Sequence, residues 1–191
     1  GILVQTVVMI TMYTGIDLNK DISTGVFDRF RTLPIWRPSA LVGALLVDAV
    51  RYTIASTVMI VLGLILGFRP EGGFVGVLAG VGLLLVFAFS MSWIWTTLGI
   101  VLRTEKALMG VSMMVLMPLT FVSNVFVDPE TMPNWLQAFV KVNPISLLAS
   151  AERGLMHGQS SWEQIGWVLL SSAILIVIFA PLTMHLYRNK R

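Results

Sequence analysis

Asp48 and Arg51 stand three residues apart inside an apolar run, "LVGALLVDAVRYTIASTVMIVLG". On a helix that spacing puts both on one face, where they can form an ion pair. Charges at membrane depth are costly, so they pair, face a water-filled cavity or sit near an interface. Roughly nine to twelve residues separate the pair from the start of the run, about 14–18 Å of helix at 1.5 Å per residue. Two readings follow: an ion pair in a helix end that reaches the headgroups, or the polar lining of a substrate path. Ser123 and Asn124 in "TFVSNVF" are a second polar pair in apolar surroundings and candidates for the same path.

Other chemistry is sparse. Of the two histidines, His157 follows an outer segment and His185 lies near the tail, on opposite sides of the topology derived below, so they share no metal and no triad. Ser160 and Ser161 neighbour His157, yet no G-x-S-x-G elbow or H-E-x-x-H motif accompanies them. No catalytic residue and no metal ligand set is assigned. The chain has no G-x-x-x-x-G-K-[ST] phosphate loop, so ATP is not bound by that route. Energy for uphill transport then comes from an ion gradient or from a separate ATPase. Asp48 is the only intramembrane carboxylate suited to proton coupling, which favours the ATPase. The absence of cysteine removes disulfides, thiol chemistry and thiolate metal sites.

The elements that must hold these residues are membrane helices. Of 191 residues 56% are hydrophobic and 12% charged, about half the charged share of a soluble domain, near 25%. Mean hydropathy is +0.84. Five apolar blocks, approximately 1–16, 39–67, 74–102, 107–127 and 163–187, are each judged against the roughly 20 residues a spanning helix needs. The first, "GILVQTVVMITMYTGI", has no basic n-region and no cleavage site, so it does not read as a signal peptide. It resembles the tail of a span, and the expectation is a truncated chain with five spans visible of six.

Basic residues orient the blocks. Lys20, Arg29, Arg31 and Arg37 in loop 17–38, Arg103 and Lys106 in the "RTEK" turn, and Arg188, Lys190 and Arg191 in the tail make nine on one side. Arg69, Lys141 and Arg153 make three on the other. The positive-inside rule puts loop 17–38 and the C-terminus in the cytoplasm of a multi-pass cell-membrane protein. Trp36 and Trp162 fall where interface anchors are expected, and Trp135 on the outer loop.

Within the basic loop, "DISTGVFDRFRTLPI" carries Ile22, Val26, Phe30 and Leu33 at spacings of four, four and three, with Phe27 beside them. Asp21, Ser23, Thr24, Asp28, Arg29, Arg31 and Thr32 fill the remainder, and Pro34 ends the pattern. The stretch is either an amphipathic surface helix offering its polar side to a partner or a solvated connector. Gly63 and Gly67, then Gly72, Gly76 and Gly80, keep small-xxx-small spacings that serve close helix packing within the subunit or a dimer seam. On the outer side, Pro118, "MPNWLQAFVKV" with Leu136, Phe139 and Val140 on one face, and "NP" at 143–144 describe a broken, partly embedded hairpin over 118–150. Trp93, Trp95, Phe87 and Phe89 contact aromatic substrates or are packing residues.

Two stretches together carry a resemblance. "KDISTGVFDRFRTLPI" before a long span, and "FVSNVFVDPETMPNWLQAFVKVNPIS" before the last one, resemble the ABC-2 type permeases, within them the daunorubicin-resistance-type exporter subunits. The resemblance covers essentially the whole chain as one transmembrane domain, 1–191. It implies an all-α polytopic bundle with a cytoplasmic coupling helix and short outer re-entrant helices. It further implies that Asp21, Thr24, Gly25, Phe27, Asp28, Arg29, Arg31 and Pro34 belong to the helix docking on an ATP-binding subunit, with Arg103, Glu105 and Lys106 as a second contact. ATP and magnesium are then bound by that partner and not by this chain, and the permease pairs with a second copy. The expected cargo is an amphipathic drug-like or lipid-like molecule moved outward, with no role for nucleic acid. A permease for a lipid-linked or polysaccharide substrate and a non-transporting scaffold are the alternatives.

Overall fold

The computed structural model describes residues 1–25, 39–127, 129–159 and 162–189. These form seven α-helices: α1 (Ile2–Ser23), α2 (Ser39–Ile65), α3 (Gly73–Val101), α4 (Glu105–Phe121), α5 (Asn134–Val142), α6 (Pro144–Met156) and α7 (Trp162–Asn189), with a 3-10 turn at Pro129–Thr131. Four are long and apolar enough to cross a bilayer: α1, Val42–Ile65 of α2, α3, and Trp162–Arg188 of α7. The chain is therefore a polytopic helical membrane protein. The block expected at 107–127 is a 17-residue helix with Pro118 in its last turns. At 1.5 Å per residue it measures about 26 Å, short of the ~30 Å hydrocarbon core.

The first block is longer than its apolar run. The expected boundary at 16 is replaced by a 22-residue helix ending at Ser23. Leu18 and Asn19 stay buried while Asp17, Lys20 and Asp21 turn outward, so the inward face continues through the charged turns. Asp21 consequently sits in the last turn of α1 and does not open a separate helix. The end is sharp: the Thr24 amide bonds the Lys20 carbonyl at 2.9 Å, and Gly25 follows at φ +73°. That left-handed conformation suits glycine just past a helix end.

The centre of the bundle is α3. It has no charged residue and packs against α1, α2, α4, α6 and α7. A helix apolar all round is one surrounded by other helices or by lipid. Phe87 and Trp95 are wholly buried with Val4, Val7 and Met12 of α1, Leu108 and Leu116 of α4, and Ile145 and Leu148 of α6. Trp95 donates its indole proton to Thr11 at 2.9 Å, and Trp93 meets Phe89 edge-on with ring centroids 6.2 Å apart. These aromatics are packing residues.

Glycines set how closely the helices approach. A Cβ on Gly99 would lie 2.6 Å from the Gly15 carbonyl oxygen, and one on Gly15 would strike the Trp95 carbonyl. α1 and α3 thus cross backbone to backbone. Gly72 and Gly76 face the Leu155 carbonyl, and Gly80 faces the Glu152 side chain, so that stripe packs within the subunit, on α6. Gly63 meets only Phe68, and Gly67 lies in the turn beyond α2 at φ +93°. Among the described residues their spacing therefore does not form a helix seam.

The two ends of the bundle are distinct. At one, Asn19 of α1 donates to the carbonyls of Gly99 and Leu102 at 2.9 and 2.7 Å, and Thr97 meets Thr183 of α7 at 2.6 Å. At the other, the Gly72 amide bonds the Met156 carbonyl at 2.9 Å, and Phe68 lies edge-on to His157.

Candidate functional site

α2 carries its polar residues inward. Asp48, Tyr52 and Ser56 recur every fourth residue and are all buried, while Val47, Val50, Ile54 and Val58 are exposed. In water this would be an inverted helix. In lipid it is the arrangement that shields polar groups from hydrocarbon.

Asp48 and Arg51 form the expected i,i+3 pair, Nη1 to Oδ1 at 3.2 Å. The arginine also reaches across to α1, with Nη2 3.2 Å from Asp17 Oδ2. The Asp48 side chain is 5% exposed, that of Arg51 40% and that of Asp17 54%. Arg51 is thus a bridge between a buried carboxylate on its own helix and a half-exposed one on the neighbour. The three line a cleft of about 400 Å³ together with Thr14, Leu18, Lys20, Asp21 and Val47. The two residues pair as their spacing predicts, and the pair borders a polar cleft.

Below the cleft the Tyr52 hydroxyl lies 2.9 Å from Thr14 and 2.7 Å from Ser92. Ser92 donates to the Ala88 carbonyl, which leaves Tyr52 as the donor to Ser92. One phenol on α2 therefore joins α1 to α3. Neither Asp17 nor Tyr52 was singled out from sequence. Tyr52 is one turn beyond Asp48, but an aromatic residue in an apolar run carries no mark of its hydroxyl partners. Asp17 stands at the edge of an apolar block, where it reads as the start of a loop.

Of the stretch assigned to coupling, Asp21, Thr24 and Gly25 lie at the exposed end of α1. Thr24 caps that end through its hydroxyl, 3.0 Å from the Lys20 carbonyl. Phe27, Asp28, Arg29, Arg31 and Pro34 lie outside the described residues, as do Trp36, Ser160 and Ser161. Arg103 is exposed in the turn between α3 and α4, Glu105 and Lys106 are exposed in the first turn of α4, and the Thr104 hydroxyl caps α4 by accepting from the Ala107 amide at 3.2 Å. This turn is at the same end of the bundle as Ser23, because Asn19 bonds the Leu102 carbonyl just before it.

Ser123 and Asn124 are at the opposite end and are not brought together with Asp48 and Arg51. They are knitted into the outer hairpin. The Asn124 side-chain amide donates to Ser150 at 2.6 Å, its backbone amide to Ser146 at 3.3 Å, and its carbonyl accepts from Arg153. Ser123 is buried and donates to the Thr120 carbonyl. Asn143 ties both arms: it donates to the carbonyls of Leu119 and Val122 at 2.8 and 3.0 Å, and accepts from the Ile145 amide at 3.0 Å. It thereby satisfies the end of α4 and the start of α6 at once. Glu152 is buried nearby with Oε1 unpaired. Burial pushes its carboxyl up to about 7, against the opposing pull of Arg153. On α5 the expected apolar face is split: Val140 turns inward while Phe139 is half exposed.

A helical membrane bundle with a charged cleft at one end and a pinned hairpin at the other defines a polytopic helical membrane domain. The family model described as "ABC-2 type transporter" matches residues 1–157, and the chain belongs to that family. It is 55% identical over 190 residues to the "Daunorubicin resistance ABC transporter permease protein DrrB1" of Streptomyces coeruleorubidus, covering 100% of this chain and 67% of that protein. It is 28% identical over 173 residues to the "Probable doxorubicin resistance ABC transporter permease protein DrrC" of Mycobacterium tuberculosis, strain CDC 1551 / Oshkosh, covering 90% of this chain and 62% of that one. The same figures hold for the protein of that name in strain ATCC 25618 / H37Rv. The chain thus spans under two thirds of the mycobacterial relatives' length.

Proposed function

We propose that the chain is the membrane-spanning permease subunit of an ATP-driven exporter of amphipathic drug-like molecules. The observation that carries this reading is the 55% identity, along the whole chain, to a relative named as a daunorubicin resistance permease. ATP and magnesium belong to a separate ATP-binding subunit, and two permease copies form the working unit in the cell membrane. In this reading α4 with its outer hairpin counts as a further span.

The cytoplasmic end is the one holding Ser23, the "RTEK" turn and the α7 C-terminus, in keeping with the basic residues there. Residues 24–38 connect α1 to α2, the two helices that Arg51 bridges. Movement imposed on that segment by the ATPase therefore acts on the walls of the cleft. The cleft receives cargo from the cytoplasmic side, and the outer hairpin closes the exit.

Co-purification of the full-length permease with its ATP-binding subunit, and stimulated ATP hydrolysis, test the coupling role. Asp28→Arg and Arg31→Glu are expected to abolish association while membrane insertion persists. Association and hydrolysis at wild-type level in both variants would refute it.

A further inference from the structure

α5, α6 and α7 leave between them a second hollow, at the end of the bundle away from Arg51. It measures about 350 Å³ and is lined by Lys141, Val142, Leu147, Trp167, Leu170, Ser171 and Ile174. Its lower wall belongs to α7, the candidate span with the smallest share of its apolar window buried. Trp167 is five residues into α7 and Ile174 twelve, so the hollow runs from about 8 to about 18 Å along that helix at 1.5 Å per residue. That is the course of an acyl chain leaving the headgroup layer. Leu170, Ile174 and Val177 are exposed and continue the hollow as an apolar stripe.

The upper rim differs in character. Lys141 is exposed at the last turn of α5 and makes no ion pair among the described residues. Among the described residues, no acidic one lines the hollow. Beside it, Trp135 and Val142 are 73% and 77% exposed, and Trp162 and Trp167 are also exposed at the start of α7. Exposed tryptophans near helix ends are enriched at bilayer interfaces. A short helix with exposed apolar side chains and one lysine lies flat in that layer. A cation at headgroup level above an apolar slot complements a molecule with an anionic head and a hydrocarbon tail.

We propose that this hollow binds one anionic phospholipid, its phosphate on Lys141 and one acyl chain along Leu170 and Ile174. The lipid then seals the seam between the outer hairpin and α7. This site is independent of the transported cargo and requires only that α7 spans the bilayer.

The test is native mass spectrometry of the full-length permease in micelles with equal phosphatidylglycerol and phosphatidylcholine. The wild type is expected to retain phosphatidylglycerol in preference. Lys141→Ala is expected to lower that preference about fivefold, the factor equivalent to the ~1 kcal/mol a lysine contributes near an anionic lipid surface. Lys141→Arg is expected to keep it. Leu170→Trp, which fills the slot, is expected to reduce the occupancy of both lipids. An unchanged preference in Lys141→Ala overturns the headgroup assignment, and unchanged occupancy in Leu170→Trp overturns the seat of the chain. If Leu170→Trp instead shifts the ratio of monomer to dimer with bound lipid unaltered, the groove is a contact between copies and the proposal is wrong. Melting temperatures within a few degrees of wild type establish that each variant is folded.

Discussion

Arg51 serves two carboxylates of unequal consequence. Its pair with Asp17 is half exposed on both sides, and exposed pairs contribute about 0–1 kcal/mol. Its pair with Asp48 involves a side chain only 5% exposed, and removing one partner of a hydrogen-bonded charge leaves the other to bear its desolvation, on the order of 1–3 kcal/mol or more. Asp17→Asn is therefore expected to leave thermal stability of the solubilised full-length protein within about 1 kcal/mol of wild type. Arg51→Ala is expected to lower it clearly, and adding Asp48→Asn to Arg51→Ala is expected to recover part of the loss. A double variant less stable than Arg51→Ala alone would show that Asp48 has another compensating cation. The glycine contact is tested the same way: Gly15→Ala drives a Cβ into the Trp95 carbonyl, whereas a Cβ on Gly110 meets nothing within 4 Å. Overpacking costs about 1–3 kcal/mol, so melting of Gly15→Ala is expected to fall while Gly110→Ala stays at or above wild type.

Among the elements, the outer hairpin depends on Asn143 more than on any apolar contact of the short α5, which buries only Val140. Asn143→Ala removes three hydrogen bonds to two helix ends, and caps contribute about 0.5–2 kcal/mol. The expected result is faster proteolysis between Phe121 and Pro144 with slower loss of α1–α3. Uniform loss of all segments would mean that the hairpin has no stability of its own. Much of this element was legible: Pro118 and the "NP" pair announce a broken structure because proline has no backbone amide proton to give. The blocks of α2, α3 and α7 were equally plain, being apolar over more than a bilayer's thickness. The end of α1 was not. Helix propensity carries through Asp17, Lys20 and Asp21, and only tertiary contacts at Leu18 and Asn19 reveal that the helix continues. Gly15 and Gly99 were also silent, since each is a lone glycine whose meaning lies in the other. Asp48 and Arg51 could be paired from their spacing, but Asp17 could join them only once α1 and α2 were adjacent.

For the molecule as a whole, the buried Glu152 makes stability sensitive to pH. Its carboxyl is raised from 4.5 to about 7 in the fold. The unfolded chain releases that proton at lower pH than the folded one, so stability falls as pH rises between those values and is flat on either side. Melting measured from pH 4 to 8 is expected to show this decline, and Glu152→Gln to flatten it. A decline of equal size in Glu152→Gln would assign the effect to another group. The other molecular property concerns α3. Because it adjoins α1, α2, α4, α6 and α7, every one of those helices moves relative to it when the bundle rearranges. A spin label on its exposed face, at Val86 for instance, therefore occupies the nearest thing this subunit has to a stationary frame. Distances from it to labels on Leu46 or Met114 would separate rotation of a single helix from rotation of the whole subunit, a distinction that labels on two peripheral helices cannot make.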